Sequence, residues 1–180
     1  MVESSPLSPA GWAAASATAP ATVAAGQELA DARMVARGIC RLFARNDTWC
    51  LPEMPLRSGR RADLMGIDAK GRIVIVEIKV SRADLLGDGK WPDYLEHCDR
   101  FYWGLAPHLD RACLEDAAFL PHACGVIVAD GYDAEIVRPA PTLALAAARR
   151  KAEIERLART SLRRQLVGLD ADCAAWGDGV

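Results

Sequence analysis

Asp63, Glu77 and Lys79 are the residues of this chain best equipped for chemistry. Glu77 and Lys79 stand two apart in Ile73-Val74-Ile75-Val76-Glu77-Ile78-Lys79-Val80, a run that alternates as a β-strand does. Its even positions, Val74, Val76, Ile78 and Val80, are wholly apolar and predict a face covered by a helix. The odd positions carry Ile73 and Ile75 and then the two charges, which project together, roughly 7 Å apart along the strand. A Glu-x-Lys pair on a strand is ordinarily a solvated ion pair. Here it closes an apolar central strand, where a charge needs a reason.

Turn spacing predicts what lies beside Glu77. Three-residue hairpin loops commonly end in a left-handed glycine. If Ala69-Lys70-Gly71 is such a loop, Asp68 pairs with Arg72 and Asp63 falls opposite Glu77. Arg57-Ser58-Gly59, treated alike, sets Leu56 against Arg60 and Glu53 opposite Asp63. The expectation is three carboxylates in a row across three strands, on one face, beside Lys79. Directly opposed Cβ atoms lie about 5 Å apart, and carboxylates that close repel unless a cation joins them. Mg²⁺ suits a site of one or two carboxylates completed by water and phosphate oxygens. It lowers the pKa of water and stabilises charge on a scissile phosphate. Lys79 would orient or deprotonate the attacking water, or stabilise the transition state.

The elements that must position these residues follow from periodicity. Leu29, Ala32, Ala36, Ile39 and Phe43 recur at helical spacing, with arginines on another face, and predict a helix ending near Asn46. Strands are expected over 49–56, 61–67 and 72–81, then a broken helical region over 82–98 interrupted by Gly87, Gly89 and Pro92. A strand over 101–106, a helical or loop piece over 109–119, and strands over 125–129 and 135–138 come next. A helix over 143–167 closes the domain, with Ile154, Leu157, Ala158, Ser161 and Leu162 on its inner face. This order predicts an α/β fold with a mixed central sheet flanked by helices. Residues 1–25, rich in Ala, Ser and Pro, read as a disordered tail, 26–170 as the folded domain and 171–180 as a flexible end.

Composition narrows the class little. The chain has 180 residues, 51% of them hydrophobic, and a net charge of -2, so any phosphate-binding surface would be a local basic patch. Six cysteines occur singly, without a C-x-x-C pair, which argues against structural zinc and for free thiols in a reducing, cytoplasmic setting. His97, His108 and His122 read as isolated.

Asp63 followed after a turn by Glu77-Ile78-Lys79 resembles the bipartite motif of PD-(D/E)XK nucleases. The wider block is similar to the MmcB-like family of bacterial DNA repair proteins. It comprises Ser58-Gly59-Arg60-Arg61-Ala62-Asp63, Val76-Glu77-Ile78-Lys79, and Lys90-Trp91-Pro92-Asp93-Tyr94 through Cys98-Asp99-Arg100-Phe101-Tyr102. The resemblance runs over about 33–166. It implies a restriction-endonuclease-like αβββαβ core, dependence on Mg²⁺ or Mn²⁺, and an endonuclease role on DNA alongside other repair proteins. It makes Asp63 and Glu77 metal ligands and Lys79 the catalytic lysine. One departure stands out. Many relatives place another glutamate on the first helix, whereas the facing turn here, Ala36-Arg37-Gly38, has none; Glu53 then stands as a third candidate ligand.

Around this set, Arg57, Arg60 and Arg61 are placed to anchor a DNA backbone without reading sequence. Lys90 could contact a phosphate and Tyr94 could hydrogen-bond near the metal water, with Ser81 in support, while Trp91 reads as a core aromatic. Asp99 and Arg100 read as an ion pair or a cap. The basic last helix is equally a solvated face. Two other functions fit the residues less well: a nuclease fold without activity that docks DNA or a repair partner, and a metal-dependent hydrolase of a small phosphorylated substrate. The second lacks a glycine-rich phosphate loop.

Overall fold

A computed structural model of the chain describes residues 21–176; most of the predicted tail and the last four residues lie outside them. Helix α1 (Ala21–Arg45) leads into strands β1 (Thr48–Pro55), β2 (Arg61–Asp68) and β3 (Ile73–Lys79), followed by the short helix α2 (Arg82–Gly87). A 3₁₀ turn (Trp91–Glu96) precedes β4 (Arg100–Leu105), two further 3₁₀ turns precede β5 (Cys124–Ala129) and β6 (Ala134–Arg138), and helix α3 (Ala147–Leu169) follows. The six strands form one mixed sheet in sequence order. β1–β3 are antiparallel, β4 and β5 run parallel to β3, and β6 returns antiparallel.

β3 is buried along its whole length because both of its faces are covered. Val35, Ile39 and Phe43 of α1 pack on Val74, Val76 and Ile78, as the apolar even face requires. On the other face Ile73 and Ile75 join Phe101, Trp103, Leu105 and Leu157 of α3. Trp91 and Tyr94 belong to this second core, their rings 5.5 Å and 6.1 Å from that of Phe101. Trp91 is thus the core aromatic that the sequence implied.

Both hairpins have the expected loops. The Asp68 N–H donates to Arg72 O at 3.0 Å and the Leu56 N–H to Arg60 O at 2.8 Å, closing three-residue loops. Gly71 and Gly59 end them at φ +74° and +80°, the left-handed conformation that glycine adopts without steric cost.

Other expectations shift. α1 begins at Ala21, so 21–25, read as tail, are helical. At the other end, Ala171–Trp176 form a 3₁₀ turn. α3 starts at Ala147 rather than near 143, because Asp99 draws the preceding segment along the sheet: its carbonyl accepts from Leu143 N–H and its carboxylate from Leu145 N–H. Leu162 does not face inward; it is 66% exposed, while Ile154, Leu157, Ala158 and Ser161 line the side turned to residues 49–51 of β1. Asp99 does not pair with Arg100. Its partner is Arg150, and Arg100 donates to the Thr142 hydroxyl at 2.9 Å. Nor is His97 isolated: its Nδ1 lies 2.9 Å from Glu153 Oε1, a buried contact tying the Trp91–Glu96 turn to α3.

Candidate functional site

The antiparallel ladder between β2 and β3 ends at Leu64↔Val76, one step short of Asp63 and Glu77. Beyond it, the Ile78 N–H is taken by the Asp63 side chain, donating to Oδ2 at 2.7 Å. The carboxylate thus replaces a rung of backbone pairing, and the strands part around a cleft of about 710 Å³. Asp63, Glu77 and Lys79 all line it, together with Asp84 of α2.

Glu77 is only 8% exposed. Its Oε1 accepts from Lys79 Nζ at 3.3 Å, and its Oε2 is buried with no hydrogen-bond partner. Burial, and then the neighbouring Asp63 charge, push the Glu77 pKa up to about 8. Burial also raises that of Asp63, against the opposing pull of the Ile78 N–H and Lys79. Two adjacent carboxylates that both resist ionisation are short of positive charge.

Lys79 cannot supply all of it, because other acids share it. Asp88 Oδ2 lies 2.9 Å from its Nζ and Asp84 Oδ1 3.4 Å. Burial disfavours the ammonium, but Asp88, Glu77 and Asp84 outweigh it and hold the Lys79 pKa above its ordinary value. At neutral pH Lys79 is therefore a cation, and deprotonating water is the least suited of its three expected roles.

Sequence reasoning missed Asp84 and Asp88. The signal was available: Ser81-x-x-Asp84 is a capping pattern, and Asp88 lies four residues on, on the same helical face. Ser81 caps α2, its side chain accepting from Asp84 N–H at 3.3 Å, and so serves the site by fixing that helix.

Glu53 has the expected register but a different direction. β1 pairs with β2 on either side of it, through Pro52↔Leu64 and Met54↔Ala62, while Glu53 itself sits at φ +53°. Its carboxylate meets Arg61 Nε at 2.5 Å on the exposed rim, while Arg164 of α3 donates to the Glu53 carbonyl at 2.7 Å. The left-handed residue alters the predicted row of three: Glu53 still lines the cleft, but its carboxylate is held at the exposed rim by Arg61.

Tyr94 lies below, its hydroxyl donating to Arg61 O at 3.1 Å. The hydroxyl also approaches the Glu77 carboxylate, and burial followed by the Glu77 and Asp63 charges raises its pKa. Arg60 is paired with Asp93 at 2.7 Å, Lys90 is exposed beyond α2, and Arg57 is exposed on the first turn. α1 turns Ala32, Arg33 and Ala36 towards the cleft. Among the described residues, those that this helix gives to the cleft lining include an arginine and no acid.

Among the described residues no group of three or more His, Cys, Asp or Glu side chains is placed to hold a metal. Asp63 and the unpartnered Oε2 of Glu77 fit the smaller requirement of Mg²⁺, which takes one or two carboxylates and leaves the remaining positions to water and substrate.

The six cysteines are unpaired, and no helix among the described residues is long and apolar enough to cross a membrane. A solved structure, the SPO1766 protein of unknown function from Silicibacter pomeroyi, is 39% identical, over 83% of this chain and 96% of that one, with a TM-score of 0.69. No curated protein matches. The model of the family described as DNA repair protein MmcB-like matches residues 19–172, and the chain belongs to that family.

Proposed function

We propose that this protein is a divalent-metal-dependent DNA endonuclease acting in DNA repair, its helix, three strands, helix and strand forming a restriction-endonuclease-like PD-(D/E)XK core. One observation carries the reading. Two neighbouring carboxylates lining a cleft share one cation, Lys79, with Asp84 and Asp88, and one keeps a buried oxygen, Glu77 Oε2, outside hydrogen-bond geometry with any neighbour. Buried polar atoms are rarely left so, and the cost is justified where a ligand completes the site.

Asp63 and Glu77 would hold Mg²⁺ or Mn²⁺, which supplies charge stabilisation at phosphate and a more acidic water. Lys79, fixed by Asp88 and Asp84, presents a permanent positive charge to the phosphate that gains charge in the transition state. Asp63 is itself held by the Ile78 N–H, so its second oxygen keeps a defined direction. Arg33 on the cleft wall gives positive charge to the DNA backbone, which fits binding without sequence readout.

A second reading is favoured by the helix that turns Arg33 rather than an acid to the cleft. In it the same fold docks DNA or a repair partner and does not cut. Incubation with labelled single-stranded, duplex, gapped and branched DNA in Mg²⁺, Mn²⁺ or EDTA separates the two. Cleavage that needs metal and disappears in both Asp63→Ala and Lys79→Ala is the expected result. Binding without cleavage in either metal would establish the docking reading instead.

A further inference from the structure

At the end of the sheet away from Asp63 and Glu77 lies a second cavity, of about 330 Å³, which shares no lining residue with the first. It is walled by Phe43 at the end of α1, Lys70 and Arg72 on the β2–β3 turn, Arg100 and Tyr102 of β4, and Ile136 of β6. Val74 lines it as well, and Lys79 lies five positions further along β3, roughly 17 Å away.

Two features mark this cavity as more than a packing gap. The first is Tyr102, which is 5% exposed and meets the Phe43 ring edge-on at 6.1 Å. Its hydroxyl has no hydrogen-bond partner among the described residues, although it is not sealed in the core. A buried tyrosine ordinarily satisfies its hydroxyl.

The second is charge. Arg72 is neutralised by Asp68 at 2.6 Å, but Arg100 is bound only to the neutral Thr142 hydroxyl, and Lys70 has no carboxylate partner among the described residues. Two uncompensated cations therefore border an apolar, ring-lined hollow. The carbonyl end of α1 also points here and carries about half a negative charge. Its last carbonyls are engaged, those of Leu42 and Phe43 by Asn46 and that of Ala44 by Asp47, and two full positive charges outweigh it.

We infer that this cavity binds a nucleotide, with its phosphate between Lys70 and Arg100 and its sugar or base against Phe43 and the Tyr102 hydroxyl. A phosphate alone would fill only a fraction of the space, and the volume lies in the range of small-ligand sites. The ligand is a free mononucleotide or the phosphorylated end of a DNA strand, which present the same chemistry. The inference does not depend on metal binding or cleavage at the other end of the sheet.

Calorimetric titration of the full chain without metal, using deoxyadenosine monophosphate, deoxyadenosine and inorganic phosphate, tests it. The monophosphate binds saturably, and removing its phosphate weakens binding by about tenfold or more. Arg100→Ala and Lys70→Glu each weaken it by about tenfold, Tyr102→Phe by less, and Asp63→Ala leaves it unchanged. Lys70 lies on an exposed turn, so its reversal leaves the core intact, which a melting curve verifies. Competition by an end-phosphorylated oligonucleotide, and not by its hydroxyl-ended twin, identifies the strand end as the source; no competition by either identifies the free nucleotide. Absence of saturable monophosphate binding, or binding that Arg100→Ala and Lys70→Glu leave intact, overturns the inference.

Discussion

The two ends of β3 each carry a buried carboxylate, and the two are treated in opposite ways. Asp99, fully buried beside the first residue of the strand, accepts from Ile73 N–H at 2.8 Å and Leu145 N–H at 2.9 Å. Arg150 adds two further bonds, at 3.1 Å and 2.5 Å. Burial pushes its pKa up, but Arg150 and the two backbone amides outweigh burial and hold it below the usual carboxylate range. Glu77, near the other end, receives one bond from Lys79 and has one oxygen with none. A buried charge whose partners are all supplied by the chain fastens the fold. The one left short is the feature on which the proposed metal site rests.

Substitutions should separate the ends sharply. Asp63→Ala, Glu77→Ala and Lys79→Ala are each expected to cut DNA cleavage by about a hundredfold or more under single-turnover conditions. Glu77→Gln should do the same with little loss of thermal stability, since it removes a charge that the apoprotein does not satisfy. Asp99→Ala should do the reverse. Leaving Arg150 and two amides without their acceptor costs about 3 kcal/mol in denaturant unfolding, and Mg²⁺ binding by the folded protein stays intact.

The ends should also answer pH with opposite signs. Glu77 holds its proton more tightly folded than unfolded. The stability from that proton is complete below the ordinary value of 4.5 and is lost progressively as pH rises to about 8. Asp99, with its pKa lowered, contributes stability that is present above its ordinary value of 3.8 and lost as pH falls through the folded value. Melting curves of the apoprotein should therefore decline between pH 4.5 and about 8, and Glu77→Gln should flatten that decline. Mg²⁺ at ten times its dissociation constant should add about 1.4 kcal/mol.

The smallest effect belongs to Glu53. Its carboxylate is committed to Arg61 on an exposed rim, so Glu53→Gln should change cleavage by less than about threefold. A larger loss would return Glu53 to the ligand set and blur the contrast between inside and rim.

What could be read from the sequence divides along the same physical line. The register that sets Asp63 beside Glu77 was legible because it depends on local turn chemistry, a left-handed glycine at the third position of each loop. The apolar face of β3 announced a helical cover for the same reason, since its period lies within a short segment; α1 supplies that cover. Illegible were features set by distant contacts. Arg150 reaches Asp99 across 51 residues, His97 reaches Glu153 across 56, and Arg164 reaches Glu53 across 111. The left-handed turn at Glu53, between prolines and under Arg164, is likewise a tertiary outcome. It decided which of the three acids is held at the rim of the cleft by an arginine.

Binding of Mn²⁺ to the metal-free protein, followed by its electron paramagnetic resonance, tests the central claim most directly. One saturable class of site is expected in the wild type, lost in Glu77→Gln and in Asp63→Asn but retained in Asp99→Asn. Mn²⁺ binding that survives both Glu77→Gln and Asp63→Asn would contradict that claim.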